Sequence, residues 1–350
     1  MLLTCAIFFA LSFVACNHQE LIPPQPFDQM QFSEGNEPND LRIKLGRMLF
    51  YDPILSRDST VSCASCHIQS MAFTDGKKVG EGIEGRKVLR NSPTLGNVGY
   101  HPRVMRDGGV PTLEMQVLVP VQEHPEFDFN MVLLAERLAN HKVYSEMALK
   151  AYNRPMDPYV ITRAISVFER TMVSNQSSFD QYFYQNNSSA LSDEQLKGYA
   201  LFKKLGCENC HSGPDFTNYN YYNIGLYEHY ADSGRTRITN DTNDRGKIKT
   251  PTLRNIALTS PYMHDGSIQK LEEVLDHLAS GGKSHPQKSD LIVGFEISEK
   301  EKAELLSFLS SLTDETFISD TTLSNPFLGY LHSPLVYSET LLHPAAQALP

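Results

Sequence analysis

Two five-residue runs in this chain carry residue types spaced for chemistry: Cys63-Ala64-Ser65-Cys66-His67 and Cys207-Glu208-Asn209-Cys210-His211. Two thiols three positions apart on one helical turn can reach the two vinyl groups of a single porphyrin and form thioethers. The adjacent histidine then lies under the ring, where its imidazole gives a nitrogen to iron in either oxidation state. A zinc centre is the first competing reading. It requires both cysteine pairs to converge on one tetrahedral ion, which leaves a histidine over in each run. A thiol–disulfide pair is the second, and it leaves both histidines unexplained. Two covalently attached haem c groups, with His67 and His211 as proximal iron ligands, account for every chemically active residue of both runs.

Two such sites call for two similar domains to hold them, and the chain does repeat itself. Residues 93–114 and 251–272 align without a gap at a constant offset of 158, with nine of twenty-two positions identical. Pro93/Pro251, Asn97/Asn255, Met105/Met263, Asp107/Asp265, Gly108/Gly266 and Glu114/Glu272 are among the identities. The two cysteine runs are offset by 144, so the second copy has a longer stretch between run and repeat. Apolar spacing at i, i+3 and i+4 predicts helices over Met131–Leu138, Val160–Arg170, Asp193–Leu205, Leu271–Ala279 and Ser298–Leu312. Strand alternation is scarce, and Phe216–Thr250 reads as a long polar loop. The expected fold is mainly α: two tandem cytochrome c-like domains, residues 41–187 and 188–315, with haem-filled cores. Residues 316–350 show no period and read as a C-terminal tail over the surface.

Residues 2–15 form an uncharged, largely apolar run that stops at Cys16. It is too short for a bilayer core of about 30 Å, which needs about 20 residues. Its length suits a secretory signal. Phe13-Val14-Ala15-Cys16 looks like a lipobox, with Phe13 where Leu is usual and no Lys or Arg ahead of the run. Residues 1–16 are therefore expected to be a signal peptide, with Cys16 lipidated in an exported, periplasmic, envelope-anchored protein. Residues 17–40, rich in Pro, Gln, Asn and Glu, read as an exposed tether. No other stretch is apolar enough to cross a membrane. The excess of 41 acidic over 31 basic residues argues against nucleic-acid binding and suits steering of a cationic partner.

The sequence resembles the bacterial di-haem cytochrome c peroxidase family, which includes the methylamine-utilisation di-haem enzymes. The resemblance spans about Leu41 to Thr313. It rests on both cysteine runs, Met71–Gly76, Arg90–Leu95, Asp107-Gly108, Leu113–Gln116, Pro251–Asn255, Pro261–Gly266 and Leu271–Glu273. The resemblance implies two helical cytochrome c domains packed face to face, with calcium between them, and a homodimer is compatible with it. It implies that the haem on His67 meets hydrogen peroxide and that the haem on His211 takes electrons from a small cytochrome c or cupredoxin. Glu114 matches the family's distal glutamate, a carboxylate that moves a proton during O–O cleavage. Calcium would be held near Thr259 and Pro261.

Three departures from the family pattern stand out. No histidine lies between His67 and His101, where classical members have a distal one. The family's sixth ligand to the second iron, Met or Tyr, falls on Leu278, so the adjacent His277 becomes the candidate. The chain has no Trp to carry electrons between haems, although it has 16 Tyr. Peroxide reduction is the leading expectation. Oxidation of a protein side chain and non-catalytic electron carriage are the alternatives.

Overall fold

In the computed structural model, residues 25–328 are described; the signal segment, Cys16 and residues 329–350 lie outside them. The first half contains α1 (Asp40–Tyr51), α2 (Leu113–Gln116), α3 (Leu118–Gln122), α4 (Met131–Ala139), α5 (Lys142–Tyr152) and α6 (Pro158–Glu169). The second contains α7 (Ser178–Tyr184), α8 (Asp193–Lys204), α9 (Thr236–Thr239), α10 (Leu271–Ala279), α11 (Glu299–Ser310) and α12 (Glu315–Ser319). The strands β1 (Tyr221–Tyr222) and β2 (Ile248–Lys249) pair antiparallel. The architecture is mainly α, and the five helices predicted from periodicity are present to within two residues at every end. The Phe216–Thr250 stretch is not all loop, since α9 and the β1/β2 pair lie inside it.

The duplication is visible in the backbone. Bridges join Val104 to Val110 and Tyr262 to Ile268, which are the same positions at the 158 offset. Asn97 and Asn255 both adopt positive φ (60° and 59°), as do Met105 and Met263 (68° and 74°). Each domain is also built on one helix crossing, α1 against α6 and α8 against α11. At both crossings a glycine lets the backbones touch. A Cβ on Gly46 would stand 1.9 Å from the Ala164 carbonyl oxygen, and one on Gly198 would stand 1.9 Å from that of Glu304. Reciprocal side-chain caps start α8 and α11, where Ser192 pairs with Gln195 and Ser298 with Glu301.

Two expectations about the flanks are corrected. From residue 25 onward the segment read as an exposed tether is anchored: Phe27 and Asn36 are buried, and Phe27 stacks on Tyr100 at 4.6 Å. The beginning of the tail is also structured. α12 carries Phe317 into a first-domain cluster with Phe50, Phe73 and Phe168, and Leu323 follows it in. An aromatic side chain gains enough by burial to hold such segments down without any long period.

Candidate functional site

The two cysteine runs form matching turns. The His67 N–H donates to Cys63 O at 3.0 Å, and the His211 N–H to Cys207 O at 2.9 Å. Each turn is a single 3-10 turn, so its two thiols stand one above the other. All four cysteines are free and half-buried. Among the described residues no cluster of three or more His, Cys, Asp or Glu is arranged to hold a metal ion. The two cysteine pairs do not converge, which removes the zinc reading.

Both histidines are prepared as iron ligands. The Nδ1 of His67 lies 2.8 Å from Phe73 O, and that of His211 lies 3.0 Å from Phe216 O. With Nδ1–H donating to the carbonyl, Nε2 is left as the acceptor, the tautomer that binds a metal. Burial lowers the pKa of both rings, against hydrogen bonds that raise it, so both are neutral at pH 7. The supporting carbonyls belong to Phe73 and Phe216, whose φ values of 59° and 49° turn them toward the rings. Free thiols on one turn and an oriented, neutral imidazole fit haem attachment at both runs.

A cavity of about 70 Å³ opens against His67 and Cys63, and Gln116, Pro120, Glu126 and Glu169 line it. Glu126 is the group that sequence reasoning missed. Its backbone is held by Ile83, whose N–H donates to Glu126 O at 2.9 Å. Gly82 makes the approach possible, since a Cβ there would fall 2.1 Å from Pro125 O and 2.6 Å from the Glu126 Cα. Burial, aided by the charge of Glu123, raises the Glu126 pKa to about 7. A carboxyl that titrates near neutrality in the wall of the cavity that His67 also lines is suited to moving protons.

Glu114 is elsewhere. It is absent from the cavity wall and is held by Arg170, with Nη1 to Oε1 at 2.9 Å and Nη2 to Oε2 at 3.2 Å. The Asn36 amide adds a bond of 3.0 Å. Against the opposing effect of burial, these partners lower its pKa to about 2. A carboxylate so firmly ionised and fully engaged is a buried structural anion and a poor proton carrier, against the role that the family resemblance implies for it.

The second run is different. An aromatic cleft of about 420 Å³ lies beside His211, walled by Phe179, Tyr184, Tyr199 and Phe216. Its one carboxylate, Glu208, is not buried. His277 is in the last turn of α10, and its Nε2 faces Ile224 O at 3.2 Å, a contact that requires Nε2–H. That hydrogen bond takes Nε2 out of the donor set for iron. The Thr259 hydroxyl donates to Ile256 O at 3.3 Å, so calcium at Thr259 and Pro261 would depend on backbone carbonyls.

A family model described as di-haem cytochrome c peroxidase matches residues 40–188. The methylamine utilization protein MauG of Methylorubrum extorquens is 36% identical over 279 residues, which is 78% of this chain and 78% of that protein. Cytochrome c551 peroxidase of Nitrosomonas europaea is 32% identical over 277 residues, 78% of this chain and 80% of its own length. A MauG-like protein associated with microbial copper homeostasis superposes with a TM-score of 0.82 at 33% identity, covering 87% of this chain and 98% of that one. The diheme peroxidase BthA of Burkholderia thailandensis shares the fold, with a TM-score of 0.70 at 22% identity over 81% of this chain and 88% of its own.

Proposed function

This chain belongs to the di-haem cytochrome c peroxidase family, and from that membership we propose that it reduces hydrogen peroxide to water. Electrons come singly from a small cytochrome c or cupredoxin, received on the His211 side. Cys63, Cys66 and His67 would hold a haem, which would supply the redox chemistry of peroxide cleavage. Ionised Glu126 accepts the proton of that near oxygen and returns it to the leaving oxygen, which departs as water. The Gln116 amide can orient the peroxide by hydrogen bonding, and Pro120, Val117 and Val121 keep bulk water out. Phe73 O fixes the His67 ring through Nδ1.

The observation that carries this reading is the buried carboxyl of raised pKa in the same cavity as His67. Steady-state peroxide reduction by the haem-loaded protein with a reduced donor tests it, and absence of turnover rejects it. The net charge of −10 suits a cationic donor, so the rate with such a donor should fall as salt rises. Export to the periplasm with lipid on Cys16 belongs to the same proposal, and the mass of the mature N-terminus checks it.

A second reading is oxidation of a partner protein's side chain. The similarity to the MauG relatives supports it, as does the lack of histidine between His67 and His101. Peroxide-dependent oxygen incorporation into a co-expressed partner, read by mass spectrometry, would favour it over simple peroxide reduction.

A further inference from the structure

Glu169 is the last residue of α6 and is only 4% exposed. Its Oε2 is buried with no hydrogen-bond partner, and the residue lines the cavity that holds His67 and Glu126. The proton transfer by Glu126 does not involve it. Ionised there, it would be an unpaired buried charge, which is costly; neutral, it avoids most of that cost. The neighbouring Arg170 makes no hydrogen bond to it: both Nη atoms are bonded to Glu114, and Nε has no partner. The ionisable groups around it are Arg170 on its own chain segment, Glu114 on α2, Cys63 at the haem run, and Glu126 and His67 in the cavity. Cys63 carries no charge once it is a thioether. Burial raises the Glu169 pKa to about 8, with Arg170 opposing and Glu114 reinforcing the rise.

We propose that Glu169 is a proton donor to the peroxide cavity, a neutral carboxyl that supplies one of the two protons consumed per turnover. The inference rests on the peroxide-reducing reading and adds a role that reading leaves open. The balance is H2O2 + 2 H+ + 2 e− → 2 H2O. Glu126 moves one of peroxide's own hydrogens from oxygen to oxygen, so the first water draws no net proton from the protein. The remaining oxygen takes two electrons from the donor protein and two protons before it leaves as the second water. The Glu169 O–H bond breaks to give one of those protons, and solvent gives the other. The carboxylate left behind is buried and unpaired, so it recovers a proton from solvent and the cycle closes.

Redox-triggered infrared difference spectra of the haem-loaded protein test this independently of turnover. A carbonyl stretch of a neutral carboxylic acid, sensitive to H/D exchange, is expected between about pH 7, above which Glu126 is ionised, and about pH 8. It should be lost in Glu169→Gln, retained in Glu126→Gln, and shifted in Glu169→Asp. Turnover of Glu169→Gln should fall at least about tenfold, within the span of acid–base contributions. It should also lose the alkaline decline centred near pH 8, and Glu169→Asp should restore part of both. A band unchanged in Glu169→Gln, or an unchanged alkaline limb, overturns the proposal while leaving peroxide reduction intact. Wild-type protein with the band but no peroxide turnover would instead reject the peroxidase reading. If Glu169→Gln does not load haem, the pH titration of the band in wild type and Glu169→Asp decides the same question.

Discussion

At the residue scale, two glutamates twelve positions apart have opposite environments and so opposite predicted phenotypes. Glu126 is desolvated without a cation, which sets its pKa near 7. Because the ionised form is the base, peroxide turnover should rise with pH through about 7. Glu126→Gln should abolish that limb and lower turnover by about 10²–10⁴-fold, read by steady-state kinetics. Glu114 is a partner in a buried ion pair. Glu114→Ala should cost about 3–5 kcal/mol in chemical denaturation, because Arg170 is left unpaired, and should leave the limb near pH 7 in place. The linkage signs differ as well. Glu114 stabilises the fold above its ordinary pKa of 4.5, and that stability is lost as pH falls toward 2. Glu126 binds its proton more tightly in the folded state, so its contribution declines as pH rises from 4.5 to 7 and is constant beyond.

At the element scale, each domain depends on a helix pair brought to backbone contact by one glycine. Gly46→Ala would push a methyl into the Ala164 carbonyl of α6, and Gly198→Ala into the Glu304 carbonyl of α11. Overpacking of this kind costs about 1–3 kcal/mol or more. Each substitution should therefore lower Tm, with Gly46→Ala chiefly disturbing the haem on His67 and Gly198→Ala the one on His211, as read from their separate spectra. Much of this level is legible in sequence. The 158 offset gave paired bridges and paired left-handed residues, and the long amphipathic helices appear where periodicity puts them. Glu126 was illegible for a physical reason. It sits on an irregular turn, and its burial comes from the close approach of Gly82 and Ile83, over forty residues earlier. Arg170 is likewise 56 positions from Glu114, so the repeat exposes the carboxylate but hides the cation that neutralises it.

At the scale of the whole molecule, the two domains are joined by more than the chain between them. Arg90 of the first domain bonds Asp232 of the second at 2.6 Å, and Arg237 of the second reaches Asp107 of the first at 2.7 Å. The last described segment closes the connection from the other end. Tyr51 donates its hydroxyl to Leu323 O at 2.7 Å, Arg47 Nε donates to Ser324 O at 2.6 Å, and the Gln69 amide donates to Asp320 O at 2.8 Å. The Phe317 ring packs 5.4 Å from that of Phe73, the residue whose carbonyl orients His67. The first domain is thus completed by residues that follow the second. Phe317→Ala should cost about 3–5 kcal/mol in denaturant unfolding. It should also move the potential and spectrum of the haem on His67 while leaving those of the haem on His211 unchanged, because the cavity it opens adjoins only the first proximal loop. A fragment ending near residue 188 should load haem poorly for the same reason, and adding residues 315–328 as a separate peptide should restore loading in part. Equal haem loading with and without that peptide would show that the returning segment only covers a domain already complete.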